Sequence, residues 1–260
     1  MGDGTIMGKL LEVKNLTKNY KDSTNSRDIL HKVNLDVNEG DFLCILGPSG
    51  CGKTTLIRCI AGFEDYDGEV LVDGHKVKEP GTDRIMVFQD FNQLFPWKTV
   101  KKNIQYPLEI QGNKSKEELN QISEEHLALV GLSGKGDQYP HQLSGGMKQR
   151  AAIAKGLALK PRIILMDEPF AALDAMTRNK LQSELVRIKE AENATVIFIT
   201  HNIQEAITLG NRIILMSKEG NIKINMENNI PKPVTPASEG YGEIWQKLNK
   251  SLWEEEPNQD

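Results

Sequence analysis

The sequence has no hydrophobic run long enough to cross a membrane. A spanning helix needs about 20 consecutive apolar residues, and the longest apolar runs here are short, such as 163–166 and 196–199. The first ten residues lack a basic region followed by an apolar core, so we expect no secretory signal. Ile6 stands where N-myristoylation needs Ser or Thr, which excludes that anchor.

Cysteine is scarce, and the cysteines do not have the spacing of a metal site. The three residues are Cys44, Cys51 and Cys59, and their odd number favours a reduced, cytosolic compartment. Cys51 precedes a predicted helix, where the pKa of a thiol can fall. Cys51 also lies within a glycine-rich loop, residues 47–54. It is therefore either a redox-sensitive residue, whose oxidation blocks ligand binding at this loop, or a small residue that only fills space.

Positive charge is not in excess. Lys and Arg total 32 and Asp and Glu total 36, which gives a formal net charge of −4. Such a chain lacks the surplus of cations that a general nucleic-acid binder uses to neutralise phosphates, so we expect no nucleic-acid partner. The hydrophobic share of 38% and the charged share of 26% are typical of a globular protein, and 260 residues suffice for a large core without disulfide or metal support.

Short apolar runs alternate with helical patterns along most of the chain. The predicted strands are 9–13, 29–37, 42–46, 69–72, 85–88, 162–166, 195–200 and 212–216. The predicted helices are 54–61, 175–191 and 202–209, together with three helices inside 91–160. Such alternation predicts an α/β fold with a mostly parallel sheet and a helical insert.

The end of the chain differs in composition from the rest. A Pro-rich linker, 230–236, precedes apolar residues at helical spacing from Tyr241 to Leu252. We therefore expect a core at 9–220, with a helical subdomain at about 91–160, and a C-terminal extension at 221–260. The helix of the extension either packs on its own domain or binds a partner.

Residues 47–54, Gly-Pro-Ser-Gly-Cys-Gly-Lys-Thr, match the phosphate-loop pattern G-x-x-x-x-G-K-[ST]. The loop follows an apolar strand and precedes a helix, which is the context that the pattern needs. Glycines let backbone amides approach phosphates, and the start of the helix adds a positive dipole end. Lys53 supplies a charge to the terminal phosphates, and the Thr54 hydroxyl is a ligand for Mg²⁺.

Two adjacent carboxylates, Asp167 and Glu168, end an apolar strand. After a phosphate loop in the same α/β pattern, Asp167 is expected to hold the water shell of Mg²⁺. Glu168 points elsewhere and is expected to take a proton from an attacking water.

A second anion-binding helix start follows Leu143. Ser144 is a predicted N-cap, and Gly145 and Gly146 leave bare amides at the first turn. One nucleotide rarely needs two separate phosphate cradles from one subunit. A head-to-tail dimer, in which this helix contacts the phosphate held by the other copy, satisfies both cradles.

Taken in order, these motifs resemble the ATP-binding subunit of ABC transporters over roughly residues 9–220. The resemblance implies an ABC-type ATPase core of the P-loop NTPase class, with an N-terminal antiparallel β portion and the helical insert. It implies ATP contacts from Tyr20 and from the loop residues Gly47, Pro48, Ser49, Gly50, Cys51, Gly52, Lys53, Thr54 and Thr55. Tyr20 is then the aromatic that stacks on adenine; the alternative is a surface tyrosine at a strand end.

The resemblance also assigns the remaining site residues. Gln89 senses Mg²⁺ and the attacking water, His201 contacts the γ-phosphate, and Asp174 links the two sites of the dimer while capping a helix. The signature that contacts the other subunit's ATP is Ser144, Gly145, Gly146 and Met147; most family members have Gln where Met147 stands. The loop before Asp174 reads Ala-Ala-Leu rather than Ser-Ala-Leu, and neither departure removes a charge or a bare amide.

Several longer stretches of the sequence resemble the nitrate, sulfonate and taurine group of bacterial importers. The matching stretches are 87–90, 94–100, 139–144 and 167–174. The segment from Gln89 to Val100 corresponds to the place where the family docks its integral membrane permease, and Trp97 within it is either part of that surface or a core aromatic. The resemblance implies a homodimer at the cytoplasmic face of the membrane, acting indirectly with a solute-binding protein.

Two other functions fit parts of the sequence. A soluble ABC-type ATPase of translation or DNA repair usually joins two ATP sites in one chain or inserts a long coiled coil, and this sequence has one site and no heptad run. A P-loop kinase or GTPase would not need residues 144–146, and the Asn-Lys-x-Asp motif that reads guanine is absent.

Overall fold

The computed structural model describes residues 8–21, 26–88, 93–171 and 173–255. The chain divides into two compact units. The first combines Met1–Gly81 with Thr195–Asp260, and the second is Thr82–Ala194.

An antiparallel sheet forms part of the first unit. Its strands are β1 (Lys9–Lys21), β2 (Ser26–Asn38), β4 (Asp67–Val72) and β5 (His75–Lys76), in the order β2-β1-β4-β5. Leu11 pairs with Val37 and Val13 with Leu35, and all four side chains are buried. The sequence predicts this antiparallel portion, although β1 extends further than its apolar start because pairing with β2 continues to Lys21.

A second set of strands in the first unit runs mostly parallel. β3 (Phe42–Leu46) pairs in parallel with β8 (Thr195–Ile199) on one side and with β9 (Arg212–Met216) on the other. Every residue of β3 and β8 is buried, as a continuous apolar strand requires. The parallel direction predicted from the sequence is confirmed. Since parallel strands end at one edge, whatever follows β3 and β8 lies at that edge.

Three α-helices belong to the described part of the first unit. α1 (Lys53–Ala61) follows β3 and ends at Gly62, which adopts φ +82°. α6 (Ile203–Leu209) follows β8, and α7 (Tyr241–Trp253) lies near the end of the described chain. The positions of all three agree with the sequence prediction to within one or two residues.

The second unit contains two strands and four helices among its described residues. β6 (Arg84–Val87) and β7 (Ile163–Asp167) pair in parallel, and the helices are α2 (Val100–Gln111), α3 (Lys116–Leu129), α4 (Gly145–Leu157) and α5 (Ala175–Glu192). The predicted capping box opens α3: Ser115 Oγ accepts from the Glu118 amide, and the Glu118 carboxylate accepts from the Ser115 amide.

Two strands of the first unit were missed by the sequence analysis, the two-residue β5 and the longer β10. β10 (Ile222–Glu227) pairs antiparallel with β9 and so belongs to the sheet of the first unit, although it lies inside the predicted extension. Its residues alternate between half-buried Ile222, Ile224 and Met226 and exposed polar neighbours. That alternation was present in the sequence and indicates a strand with one covered face.

Candidate functional site

The phosphate loop leaves β3 at Gly47, and its three glycines serve different purposes. A Cβ on Gly47 would lie 2.7 Å from Cys51 Sγ, and one on Gly52 would lie 2.9 Å from the Ile29 carbonyl oxygen. Gly50 adopts φ +77° and faces open space, since a Cβ there would meet nothing within 4 Å among the described atoms. Packing against the chain therefore requires glycine at 47 and 52, and a positive φ requires it at 50 and again at 52, where φ is +98°.

Lys53 places a positive charge inside this loop. Its ammonium group donates to the carbonyl oxygens of Gly47 and Pro48, each at 2.8 Å, and the side chain is buried. The first turn of α1 contains no acidic residue, and its N-cap, Gly52, offers no side chain to the helix amides. The helix dipole and Lys53 thus both favour an anion at this loop.

Tyr20 lies beside the same helix. Burial raises the pKa of the Tyr20 hydroxyl, a hydrogen bond with Glu64 raises it further, and a hydrogen bond with Thr55 of α1 lowers it. Lys18 Nζ sits 4.8 Å from the centre of the Tyr20 ring, and the side chain is 42% exposed. The fold therefore brings an accessible aromatic ring next to the phosphate loop.

His201 follows β8 at the edge where the phosphate loop follows β3. Ile45 and Ile199 are partners in the parallel register, and the Thr200 amide donates to the Ile45 carbonyl oxygen at 3.1 Å. His201 itself is exposed, and Asn202 begins α6 by accepting from the amides of Gln204 and Glu205. The structure thus brings His201 to the same sheet edge as the loop.

The two adjacent carboxylates in the second unit have different backbone conformations. Asp167 is the last residue of β7, and Glu168 adopts φ +44°, a left-handed conformation that is uncommon for residues other than glycine. A turn follows, in which the Ala171 amide donates to the Glu168 carbonyl oxygen at 3.2 Å. The separate roles expected for the two carboxylates stay a prediction.

Gln89 was predicted to lie near this pair. Val87 of β6 pairs with Met166 of β7, so both strands end at a common edge. Gln89 itself lies outside the described residues, and so does Ala172. The prediction for Gln89 stays a prediction.

The signature segment opens α4 as predicted. Ser144 Oγ accepts from the Met147 amide at 3.4 Å, which identifies it as the N-cap. Gly146 is buried, and a Cβ there would lie 2.9 Å from the Thr177 methyl group of α5. This glycine therefore allows α4 to approach α5, besides leaving its amide bare, and Met147 beside it is half-buried.

Asp174 caps α5. Its carboxylate accepts from the Thr177 amide at 3.0 Å, and this hydrogen bond lowers the pKa of Asp174. The predicted N-cap is confirmed. Asp174 is exposed, as are Ala175 and Met176 beside it.

Cys51 does not have the lowered pKa that its position next to a helix start indicated. Its side chain is buried, and burial raises the pKa of the Cys51 thiol despite the nearby charge of Lys53. Loss of solvent outweighs the nearby positive charge, which favours the small residue that only fills space over the redox-sensitive residue as the role of Cys51. Cys44 and Cys59 are also buried, and no disulfide joins any of the three.

A rigid aromatic loop precedes α2. Asn103 is buried and makes four hydrogen bonds to this loop, to the amide of Phe95 and to the carbonyl oxygens of Phe95, Lys98 and Thr99. Trp97 is 71% exposed, so the alternative of a core aromatic is wrong. Sequence analysis missed Asn103, because nothing in its local pattern shows which backbone its amide reaches.

Phe95 is the centre of this loop. Its ring lies 5.4 Å from that of Trp97 and 4.9 Å from that of Tyr106, measured between ring centres. Lys155 Nζ sits 4.3 Å from the Phe95 ring centre, and burial lowers the pKa of Lys155.

Among the described residues, no helix is both long and apolar enough to pass through a membrane.

Comparison with known proteins places these motifs in a family. The model of the ABC transporter family matches residues 30–171. An uncharacterized ABC transporter ATP-binding protein of Methanocaldococcus jannaschii is 47% identical over 248 residues, covering 94% of this chain and 92% of the relative. An aliphatic sulfonates import ATP-binding protein of Bacillus cereus is 40% identical over 92% of this chain and 94% of its own length. A bicarbonate transport ATP-binding protein of Synechocystis is 42% identical over 85% of this chain and 79% of its own length.

Solved structures show the same fold. A dimeric bacterial ABC transporter cassette has a TM-score of 0.75 and 36% sequence identity, covering 84% of this chain and 99% of that one. A dimeric post-hydrolysis state of an ATP-binding cassette, bound to ADP and phosphate, matches equally well, with a TM-score of 0.75. These matches confirm the predicted fold class. The chain belongs to the ABC transporter family, as an ATP-binding subunit and an ATPase.

Proposed function

We propose that the chain powers an importer of small solutes of the nitrate, sulfonate or taurine type. Support comes from relatives named for sulfonate import and bicarbonate transport, which match 85% or more of this chain. The single observation that best supports the ATPase chemistry is that β3 and β8 end at the same edge of their sheet. There the phosphate loop with buried Lys53 and the exposed His201 follow adjacent parallel strands.

In this proposal the first unit holds the nucleotide. Lys53, Thr54, Thr55 and the backbone N–H groups of the loop 47–52, which are present at every position except Pro48, bind the phosphates. The Tyr20 ring stacks on adenine. His201 contacts the γ-phosphate. These roles use the charge, the bare amides and the exposed ring described above.

The oxygen donors of the chain fit Mg²⁺. The proposed ligands are the Thr54 hydroxyl, the Asp167 carboxylate partly through water, and the Gln89 amide. Among the described residues no group of three or more Asp, Glu, His and Cys side chains could form a metal cage. Mg²⁺ rarely uses an all-protein cage and is usually held by one or two protein oxygens, phosphates and water. When bound, the ion neutralises charge on the phosphates.

Glu168 is the proposed general base. Its left-handed backbone follows directly on the strand residue Asp167. In this proposal one side chain accepts a proton from water while the other serves the metal. Strain at such a position is typical of functional sites.

Two copies of the chain are proposed to enclose the nucleotide head to tail. Ser144, Gly145, Gly146 and Met147 of one copy face the phosphates bound by the other, and Asp174 links the two sites. The dimeric cassettes among the similar structures support this arrangement. Closure of the dimer then shifts the transporter because ATP binds the closed state more tightly.

The segment from Gln89 to Val100 is the proposed docking site for an integral membrane permease at the cytoplasmic face. The loop around Phe95 and Trp97 is apolar, exposed at Trp97, and held rigid by Asn103. Rigid exposed aromatics favour a protein partner because little entropy is lost on docking. A solute-binding protein acts on the far side of that permease and determines which solute is carried.

Capture of partners from native membranes tests this proposal. The tagged chain is incubated with detergent-solubilised membranes of the source cells, and co-purifying proteins are identified by mass spectrometry. Recovery of a multi-span membrane protein is expected, and its loss in Trp97→Ala but not in Trp253→Ala would locate the docking site; both side chains are about 70% exposed. Recovery of only ribosomal or DNA-repair proteins would favour the soluble ABC-type ATPase instead.

A further inference from the structure

The helix that follows His201 ends in a backbone cap, in which the Gly210 amide donates to the Ala206 carbonyl oxygen at 3.0 Å. α6 has seven residues and no basic side chain in its last turn. Its last carbonyl groups would otherwise depend on water, because a helix end leaves them without intrahelical partners. Two side chains that donate hydrogen bonds to these carbonyl groups come from residues 228–232, the segment that follows β10.

Asn228 supplies the first cap. It is buried, and its side-chain amide donates to the carbonyl oxygens of Ile207 at 2.8 Å and Gly210 at 2.7 Å. Its backbone amide donates to the Asn211 carbonyl oxygen at 2.8 Å. The side chain of Asn228 therefore joins the segment to the end of α6, and its backbone amide joins it to the residue that leads into β9.

Lys232 supplies the second cap. Its ammonium group donates to the carbonyl oxygens of Ile207, Thr208 and Gly210 at 3.3, 2.6 and 3.1 Å. A cation at the C-terminal end of a helix also opposes the negative end of the helix dipole. Lys232 thus performs the task that basic residues in the last turn of a helix usually perform.

The other end of α6 is tied directly to the residues beside His201. Asn202 caps α6, its own amide donates to Thr200 Oγ1 at 3.0 Å, and Thr200 Oγ1 is 2.5 Å from the buried Glu205 carboxylate. His201 stands between Thr200 and Asn202. A helix of seven residues is about 10 Å long, so a shift at one end moves the other.

We propose that Lys232 and Asn228 are positioning residues for His201, acting through α6. This inference rests on the proposed contact of His201 with the γ-phosphate. In this inference residues 228–232 act at the C-terminal end of α6 and hold the helix that determines where the imidazole stands. Loss of this cap lowers turnover and leaves nucleotide affinity, which belongs to the phosphate loop, unchanged.

Lys223 offers a matched control in the same C-terminal part of the chain. Its ammonium group pairs with Glu254 at 3.1 Å and Glu255 at 2.7 Å, which joins β10 to the end of α7 without reaching α6. Lys223→Met therefore removes the same kind of side chain from the same segment. A merely structural role of the extension would make the two methionine variants behave alike.

The experiment compares Lys232→Met, Lys232→Arg and Lys223→Met in the full chain. We expect Lys232→Met to lower kcat about five-fold, equivalent to about 1 kcal/mol, with the Kd for a fluorescent ADP analogue unchanged. Lys232→Arg, which keeps cationic donors, should recover most of the turnover, and Lys223→Met should match the parent protein. Equal kcat in both methionine variants would overturn the proposal. Asn228→Asp, of the same shape but without the donor, repeats the test at the buried cap.

Histidine NMR separates this inference from the proposed role of His201. The chain has five histidines, and the His201 ring resonance is assigned by its loss in His201→Ala. Lys232→Met should shift that resonance, and Lys223→Met should not; an unshifted resonance in Lys232→Met contradicts the positioning role. Normal turnover in His201→Ala would instead contradict the γ-phosphate contact, whatever the NMR shows.

Discussion

At the scale of single residues, Glu168 combines a strained backbone with an ionisable side chain. The left-handed conformation at φ +44° costs free energy, about 1 kcal/mol or more for a residue other than glycine. The same turn gives the two adjacent acidic residues different backbone conformations. The proposed role of Glu168 as general base would explain why the strained position is held.

We predict that Glu168→Gln binds ATP but hydrolyses it at least about 100-fold more slowly, because the amide cannot accept the proton. With hydrolysis blocked, the dimer should accumulate in Mg-ATP, as measured by light scattering after sizing chromatography. Glu192→Gln, an exposed residue at the end of α5, serves as the control. A variant that stays monomeric in saturating Mg-ATP would argue against the enclosed dimer.

Tyr20 allows the ring and the hydroxyl to be tested separately. Tyr20→Ala should weaken ATP binding by about 1–3 kcal/mol if the ring stacks on adenine, by analogy with base stacking in nucleic-acid complexes. Tyr20→Phe removes the hydroxyl that bonds Thr55 and keeps the ring, so its affinity should stay close to that of the parent protein. Titration with a fluorescent ATP analogue measures both. Equal affinity in all three proteins would identify Tyr20 as a surface residue only.

At the scale of secondary-structure elements, most of the order along the chain could be predicted from local patterns. The capping box at Ser115, the end of α1 at Gly62 and the buried strand β3 all depend on neighbouring residues, and each appears where predicted. β10 was missed although its residues alternate, because a strand is recognised with certainty only with its partner strand.

The loop before α2 illustrates an element whose rigidity no local pattern shows. Asn103 makes four hydrogen bonds to it from inside α2. Asn103→Ala leaves those loop groups without a partner and should lower the free energy of unfolding by about 1–3 kcal/mol. Urea unfolding followed by circular dichroism measures the change, with Gln111→Ala at the exposed end of α2 as control.

The same variant should also weaken capture of the membrane partner. Loss of Asn103 lets the Phe95–Trp97 loop move, so docking has to order it first. Full capture by a folded Asn103→Ala protein would mean that rigidity of this loop is irrelevant to the partner.

At the scale of the whole molecule, the chain has two helix starts whose backbone amides are suited to an anion, one at α1 and one at α4. A head-to-tail dimer assigns both to one nucleotide and makes each site depend on two copies. A variant with a defective phosphate loop and a variant with a defective signature can therefore restore ATPase activity to each other only when they form a mixed dimer.

Two inactive variants should therefore recover activity when mixed. Lys53→Ala disables the phosphate loop and Ser144→Arg blocks the signature, and a mixed dimer of the two retains one site made of intact parts. Roughly a quarter of the parent ATPase rate is expected if the copies pair at random. A Lys53→Ala protein mixed with the Lys53→Ala, Ser144→Arg double variant contains no intact site and serves as control. If mass photometry detects mixed dimers and they are inactive, the arrangement is wrong.

The sequence by itself determined the phosphate loop, the carboxylate pair, the signature and the order of strands and helices. These features depend on residue types at short spacing, which local hydrogen bonds and burial periodicity translate directly into structure. Only the tertiary structure decided that the Cys51 thiol is buried and has a raised pKa, that Trp97 is exposed, and that Lys232 caps α6. Each of these depends on which distant part of the chain comes within contact distance, and that is set by packing of the whole fold rather than by neighbouring residues.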